Sequence, residues 1–423
     1  MNFRYNLNDK LPPFSLIMYG IQWFLVSIPM VVILSAVIGN IQELNTADHI
    51  FYTQKLLIIM GVGLVLQVIW GHKMPVVIGP ASVLLIGVLS AGTTNISQIY
   101  TAIIIGGGIL VLVYFSRILS KIQFLFTSRI VIVIMSLIAF TLSPVILRLI
   151  FSDEEHSLFA LIFSLCFILL MTLANHLFKG IWKSTVVLLA LVLGTIICFA
   201  VTGLPTMENT ITTEKTGGWF ISFDFDLGIT LSFLFCYIAL LINELGSVQS
   251  VGKIIGADQL DKRSERAVGV TGIMNIAAGS MGVIGPVDYS LSPGLIMSTG
   301  CASRYPLILT GAALTLCAFF PSLISYFTLI PELTMGTILL YLMATQLSAS
   351  FQMIGTEKKV ITSFNDSLVI GLPLMVGLFL SFAPEAVLNQ IPATFRPILG
   401  NGFVMGVVTV LVLEHIVFRK KKI

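Results

Sequence analysis

Two carboxyl side chains stand where acids are costly. Glu244 lies in the apolar run FLFCYIALLINELGSV, and Asp288 lies just before a Pro/Gly interruption in VDYSLSPGLIMSTG. A carboxylate at membrane depth costs about 2.5 kcal/mol or more on insertion scales, so something must compensate each one. For Glu244 the choices are a substrate or proton ligand, or a carboxyl that reaches the aqueous boundary or pairs with Lys253. For Asp288 they are an acid of the site, available for ion coupling, or a solvated loop carboxylate. Ala81, Ser82, Ser290, Ser292 and Gly294 surround two Pro/Gly breaks, one in each half of the chain. Small residues there would let a planar ligand approach backbone N–H groups; the alternative use is close helix packing.

The other reactive side chains form no comparable set. His49, His72, His156, His176 and His415 fall in loops or near the ends of apolar runs, so none stands out as a proton relay at mid-membrane. Gly106, Gly107 and Gly108 in IIIGGGIL precede no GK[ST] and sit in an apolar run, which fits helix packing rather than a phosphate loop. Cys166, Cys198, Cys236, Cys301 and Cys317 are odd in number and show no metal-type spacing, so neither disulfide nor metal is expected. Asp366 in FNDSLVIG is expected at a helix start, a structural position favoured by the helix dipole. Without HExxH, GxSxG or a clustered His/Asp pattern the sequence offers no catalytic set, and neither an enzyme nor a cofactor is expected.

The elements that must position Glu244 and Asp288 are membrane spans. Hydrophobic residues make up 57% of the 423 positions and charged residues 10%, against roughly 25% charged in a soluble domain. A modest net charge of +3 points to no nucleic-acid partner. The lipid bilayer is the expected solvent. Apolar runs suited to a ~30 Å hydrocarbon core occur near 15–39, 51–71, 75–90, 99–118, 128–150, 158–178 and 186–203, then near 227–248, 268–282, 288–299, 306–330, 333–354, 367–382 and 400–418. The N-terminal stretch MNFRYNLNDKLPPF leads into an apolar run too long for a signal-peptide core and lacks a small-residue cleavage site, so a retained first span is expected.

With the N-terminus inside, four of the 23 Lys and Arg (Lys55, Arg148, Lys215 and Arg396) fall outside and the other 19 inside, the bias expected for cytoplasmic loops. Both termini are therefore expected in the cytoplasm, and the tail FRKKKI is an anchor facing anionic lipid. The reading is an all-α polytopic membrane protein of about fourteen spans. Residues 1–203 form a first seven-span repeat, 204–226 an extracellular linker and 227–423 a second repeat. Because seven is odd, the second repeat enters from the opposite side, which makes the repeats inverted. MPVVIGPASVLLIG from Met74 and VDYSLSPGLIMSTG from Val287 align without gaps, matching Pro80 with Pro293 and Gly87 with Gly300. Runs suited to extended backbone precede each break, so spans 3 and 10 are expected to be part strand and part half-helix. Such half-helices start inside the membrane and present free N–H groups and a positive dipole end to a midplane site.

The stretch GLIMSTGCASRYPL, Gly294 to Leu307, resembles the signature of the nucleobase/ascorbate transporter family, the uracil, xanthine and purine permeases. YGIQWFLVSIPMVV from Tyr19, MPVVIGPAS, NELGSVQSVGKIIG from Asn243, RAVGVTGIMNIAAGSMG from Arg266 and ILGNGFVMGVV from Ile398 are similar, in order, to that family's first, third, eighth, ninth and last spans. The resemblance implies a core domain (spans 1–4 and 8–11) that carries substrate against a gate domain (spans 5–7 and 12–14), with the base between spans 3 and 10. It also implies a homodimer. Carried over position by position, the family's substrate-binding glutamate falls on Asn243, with Glu244 one place later; an acid or amide of span 10 falls on Leu291, and an acid of span 9 on Thr271. Gln22 keeps the glutamine of span 1, here followed by Trp23, and Tyr289 and Ser290 keep neighbours of the site. Asn243 has two donors and an acceptor for a base edge. A one-residue shift turns a helical side chain by about 100°, so Glu244 does not inherit that role.

The expected activity is import of a nucleobase across the plasma membrane by alternating access, a purine or xanthine ahead of uracil. The resemblance implies coupling to H+ or Na+, with Asn243, Leu291 and Thr271 standing where the family has acids or amides. The alternatives are an anion or carboxylate carrier of the related sulfate-transporter-like fold and an uncoupled nucleobase facilitator.

Overall fold

A computed structural model describes residues 3–91, 96–119, 127–179, 182, 185–203, 218–289, 292–327, 329–356, 360–388, 390–392 and 395–418. The chain folds as an all-α polytopic membrane protein. Helices α1 (Pro13–Ile41) and α2 (Thr46–Ile69) lead into strand β1 (Ile78–Pro80), α3 (Ser82–Ala91) and α4 (Ile96–Ser116). They are followed by α5 (Ser128–Thr141), α6 (Ser143–Ile150), α7 (Ser157–Leu177) and α8 (Val186–Thr202). The second half runs α9 (Leu227–Ile255), α10 (Leu260–Ser280), β2 (Pro286–Asp288), α11 (Ser292–Thr299), α12 (Tyr305–Cys317) and α13 (Pro321–Phe327). It ends with α14 (Glu332–Thr356), α15 (Phe364–Ser381), the short α16 (Glu385–Leu388) and α17 (Arg396–Leu399), α18 (Gly402–Val412) and a π-helical turn at Leu413–Val417.

Eight described spans are long and apolar enough to cross a bilayer alone, counting α5 and α6 together as the single run Ser128–Ile150. The helices α12 and α13 make one apolar run bent by 94° at its break. Sequence sets the ends. Asn45, Asp226, Ser363 and Asn401 cap α2, α9, α15 and α18 by accepting N–H groups of the first turn. Gly256 ends α9 in the left-handed conformation, φ +64°.

Spans 3 and 10 are each a three-residue strand followed by a short helix, as expected. The strands pair antiparallel in the register Ile78–Asp288, Gly79–Val287, Pro80–Pro286. This corrects the gap-free alignment. Pro80 closes a strand whereas Pro293 lies in the first turn of α11, so the two helix starts that correspond are Ser82 and Ser292. The loop from Asp288 to α11 is longer than the one from Pro80 to α3, and a gap-free match cannot absorb that difference.

Helix contacts fall into two groups. The first joins α1, α2, α3, α4, α9, α10, α11, α12 and both strands; the second joins α5, α6, α7, α8, α14, α15 and α18, and the short α17 touches α3 and α9 of the first as well as α18. Small residues set the closest approaches. A Cβ on Gly107 would stand 2.7 Å from the Gly272 carbonyl oxygen, and one on Gly311 2.6 Å from that of Gly61, so α4 lies directly on α10 and α2 on α12. Between the groups, Asn40 Nδ2 donates to Glu332 Oε1 (3.0 Å) and Asn401 Nδ2 to Ser232 Oγ (3.3 Å). Both bonds involve the N-terminal ends of α14 and α18.

Candidate functional site

The two broken spans meet at the ribbon, and side chains from their breaks tie it together. Tyr289 N–H donates to the Val77 carbonyl (2.8 Å) and its hydroxyl donates to the Pro80 carbonyl (2.6 Å). Ser292 Oγ accepts the Val77 N–H (3.0 Å) and donates to the Tyr289 carbonyl (3.1 Å), and Ala81 N–H donates to the Gly285 carbonyl (2.9 Å). Gly79 has to be glycine, since a Cβ there would stand 2.5 Å from the Tyr289 ring. These bonds hold the starts of α3 and α11 at opposite ends of a ribbon only about 10 Å long at ~3.4 Å per residue. Two positive helix ends are thereby held close to one another.

The expected site residues separate into two layers. Ala81, Glu244, Asp288 and Ser292 are fully buried, and Gln22 is buried in α1. Asn243, Ser82 and Tyr289 are half-buried. Asn243 and Gly246, one turn apart on α9, are less buried than Glu244, and nothing lies within 4 Å of where a Gly246 Cβ would be. Helix α9 touches α3, α10 and α11 of the first group, α5 and α18 of the second and the short α17 between them, so this open face runs along their boundary. Gly294 lies in the first turn of α11, and Ser290, with Leu291, lies outside the described residues.

Behind that face lies a polar cluster. Glu244 Oε1 accepts the Thr271 hydroxyl (2.6 Å) and Gln67 Nε2 (3.3 Å), and its Oε2 accepts the Asp288 backbone N–H (2.8 Å). Gln67 Nε2 also donates to Thr271 Oγ1 (2.8 Å) and to the Ala267 carbonyl (3.0 Å). Ser247, one turn beyond Asn243, donates to the Asp288 carbonyl (2.9 Å). Asn275 donates to the carbonyls of Pro286 (3.0 Å) and Thr271 (2.8 Å) and accepts the Tyr237 hydroxyl (2.8 Å). The Glu244 and Asp288 carboxyls are neighbours, linked through that Asp288 backbone N–H. His72 Nε2 stands 3.7 Å from Asp288 Oδ1.

This geometry removes one alternative for each acid and revises the reading of one histidine. Glu244 neither reaches an aqueous boundary nor pairs with Lys253; it is bonded inside the bundle at 0% exposure. Asp288 is no solvated loop carboxylate, because strand pairing places it at 0% exposure. His72, grouped above with inconspicuous loop histidines, is buried against Asp288. Gln67, His72 and Asn275 escaped sequence reasoning. A trace was present, since Gln67 interrupts IIMGVGLVLQVI, and Ser264, Ala267, Thr271 and Asn275 recur at helical spacing along α10.

Asp366 has more than a helix dipole: Arg129 Nη1 bridges its Oδ1 (3.0 Å) and Glu414 Oε2 (2.9 Å), while Thr362 donates to it through N–H and hydroxyl. Outside the spans, Arg263 donates to the exposed Asp258 (2.7 Å) and holds its carboxyl below the usual carboxylate range.

Comparison with known proteins agrees with this architecture. The profile of the Permease family (xanthine/uracil permeases) matches residues 14–386. A Clostridium perfringens relative is 26% identical over 259 residues, covering 59% of this chain and 55% of that protein. The nucleobase transporter PlUacP of Paenibacillus larvae is 25% identical over 95% of both chains. A xanthine permease of Bacillus subtilis is 22% identical over 95% of this chain and 94% of its own. Among solved structures, the transmembrane domain of a cyanobacterial bicarbonate transporter, BicA, superposes with a TM-score of 0.62 at 13% identity, covering 89% of this chain and 98% of that one. Murine Slc26a9, an anion transporter captured in the inward-facing state, gives 0.58 at 12% identity over 95% of this chain and 69% of its own. At such identities these two likenesses speak for the inverted-repeat fold alone. With the family profile spanning most of its length, the chain belongs to the Permease family as a divergent member of the nucleobase/ascorbate transporters, a family of membrane transporters rather than enzymes.

Proposed function

We propose that this protein carries a nucleobase, a purine such as xanthine ahead of uracil, across the plasma membrane by alternating access. The helices that contact α2, α10 and the strands act as the core, and those around α5 and α14 act as the gate. The observation that carries this reading is the pair of half-helix starts fixed by the ribbon, with half-buried Asn243, Ser82 and Tyr289 beside them. Backbone N–H groups at the starts of α3 and α11 suit the carbonyl oxygens of an oxopurine. The Asn243 amide suits its Watson–Crick-like edge, and the Tyr289 ring offers an aromatic face. The names of the relatives, which include nucleobase and xanthine transporters, favour the same substrate class.

Coupling is assigned to the layer behind. Two fully buried neighbouring carboxyls, linked through the Asp288 N–H, hold one proton more readily than two charges, because a second buried charge has little water to solvate it. Glu244 and Asp288 are therefore the coupling pair, and H+ is preferred to Na+. Contacts joining the gate to the core at Asn40–Glu332 and Asn401–Ser232 lie, with both termini in the cytoplasm, on the extracellular face. This conformation is closed to the outside.

Uptake of labelled xanthine and uracil into cells expressing the protein, with unlabelled purines, bicarbonate and sulfate as competitors, tests the substrate class. Competition by purines is expected. Competition by the inorganic anions with none by purines would instead support the anion-carrier reading.

A further inference from the structure

We propose that His72 is a positioning residue of the coupling site, a neutral N–H donor held ready for the Asp288 carboxylate that forms when the proton leaves. The proposal rests on the reading of Glu244 and Asp288 as the coupling pair.

The hydrogen bonds of the ring define its tautomer. Nδ1 accepts the Met74 backbone N–H at 2.9 Å. A nitrogen that accepts carries no hydrogen, so the neutral ring bears its hydrogen on Nε2. That atom lies 3.7 Å from Asp288 Oδ1, and among the described residues neither it nor either Asp288 carboxyl oxygen has a hydrogen-bond partner. All three atoms are buried, a costly arrangement unless the gap closes in another state of the cycle. Protonating Nδ1 would break the Met74 bond, so the turn keeps the ring neutral.

The turn itself is clamped. Arg263 Nη1 donates to the carbonyls of His72 (3.0 Å) and Lys73 (3.3 Å), while its Nη2 is held by Asp258. Lys73 takes a left-handed conformation, φ +55°, which is uncommon for a side-chain-bearing residue. The Gln67 amide oxygen lies against Gly71, where a Cβ would collide with it. The charged groups around the ring are Glu244 from α9, Asp288 from β2, Arg263 from α10 and Arg304 from the segment before α12. Gln67 and Thr271 are the neutral polar groups of the same cluster.

The role follows from the bookkeeping of one proton. In the loaded state the proton sits on Asp288, beside Glu244. On release toward the cytoplasm the proton passes to water, and the new carboxylate closes on the His72 N–H, which stays on nitrogen. His72 thus favours release without itself changing charge.

The test uses the full-length protein in liposomes with labelled xanthine. For His72→Ala, the pH midpoint of uptake is expected to move about one unit to the alkaline side, because the carboxylate loses its donor. His72→Gln, which keeps an N–H at similar reach, is expected to recover part of that shift. A purely structural role would lower the rate at every pH and leave the midpoint in place, and that result would overturn the proposal. A second measurement does not depend on transport. In 15N-histidine-labelled protein, the His72 signal is expected to be that of a neutral ring protonated on Nε2, and to move in Asp288→Asn. A ring protonated on Nδ1, or a signal indifferent to Asp288→Asn, would overturn it. If Asp288→Asn leaves gradient-driven uptake intact while moving the His72 signal, the coupling reading fails and the His72–Asp288 contact stands.

Discussion

The Thr271 hydroxyl donates a 2.6 Å hydrogen bond to the Glu244 carboxyl in the interior of the bundle. That bond joins α10 to α9 immediately beside the strand ribbon, so the acid is oriented by three elements at once: Thr271 from α10, Gln67 from α2 and the Asp288 backbone from β2. A side chain so tied is a fixed part of the core, and its charge state is felt directly by the ribbon.

Replacing Thr271 by Val keeps the shape and removes the donor. Leaving a buried acceptor short of a partner costs about 1–3 kcal/mol, so Thr271→Val should lower the thermal midpoint in detergent and weaken uptake, while Thr271→Ser stays close to the parent. Equal behaviour of the two variants would show that the hydroxyl is not engaged.

The two layers at the site make separable predictions. Asn243→Ala should raise KM for xanthine several-fold, about 1–2 kcal/mol of lost contact, with little change in thermal stability because the side chain is half-buried. Glu244→Gln should retain base binding, read by ligand-induced thermal stabilisation, and lose the response to an imposed pH gradient. If Asn243→Ala abolished gradient response and Glu244→Gln abolished binding, the two roles would have to be exchanged.

Close packing of α2 on α12 depends on glycine at position 311. A Cβ there would meet the Gly61 carbonyl oxygen at 2.6 Å, so Gly311→Ala should destabilise by about 1–3 kcal/mol through overpacking. Gly371→Ala is the control, since open space surrounds its would-be Cβ, and it should be neutral or stabilise by up to about 1 kcal/mol. Thermal unfolding of the two variants in detergent decides the comparison.

Arg129 separates two carboxylates in the second group of helices. Arg129→Met leaves Asp366 and Glu414 without their shared cation and should cost about 3–5 kcal/mol. Adding Asp366→Asn should restore part of that loss by removing one of the unpaired charges, which melting curves would reveal.

Much of this arrangement is legible in the sequence. The apolar runs, the inverted halves and the short strands at the two breaks follow from hydropathy, from Lys and Arg placement, and from Pro80 and Pro293. Glu244 stands out because an acid in an apolar run demands compensation. What supplies it does not stand out. Whether Glu244 or Asn243 faces inward depends on which side of α9 meets α10, a packing choice no local pattern encodes. Asp288 looks like a loop acid until β1 pairs with β2 and buries it. His72 and Gln67 gain meaning only because the end of α2 lies against α9, α10 and β2, residues about 170 to 220 positions away in the chain.

The alternating-access reading is open to a direct trap. Cysteines replacing Asn40 and Glu332, joined by a short reducible thiol-reactive linker, should hold the two helix groups together at this contact and stop uptake, and reduction of the linker should restore it. Uptake that continues through the cross-link would mean that this contact does not open during transport.

The central claim is proton-driven nucleobase transport through Glu244 and Asp288, and the most direct measurement is labelled xanthine uptake into liposomes holding the purified protein, with an inward proton gradient imposed or collapsed. The parent should concentrate xanthine only while the gradient lasts, and Glu244→Gln should equilibrate it without concentrating it. Gradient-independent uptake by the parent, or concentration by Glu244→Gln equal to the parent's, would contradict the account.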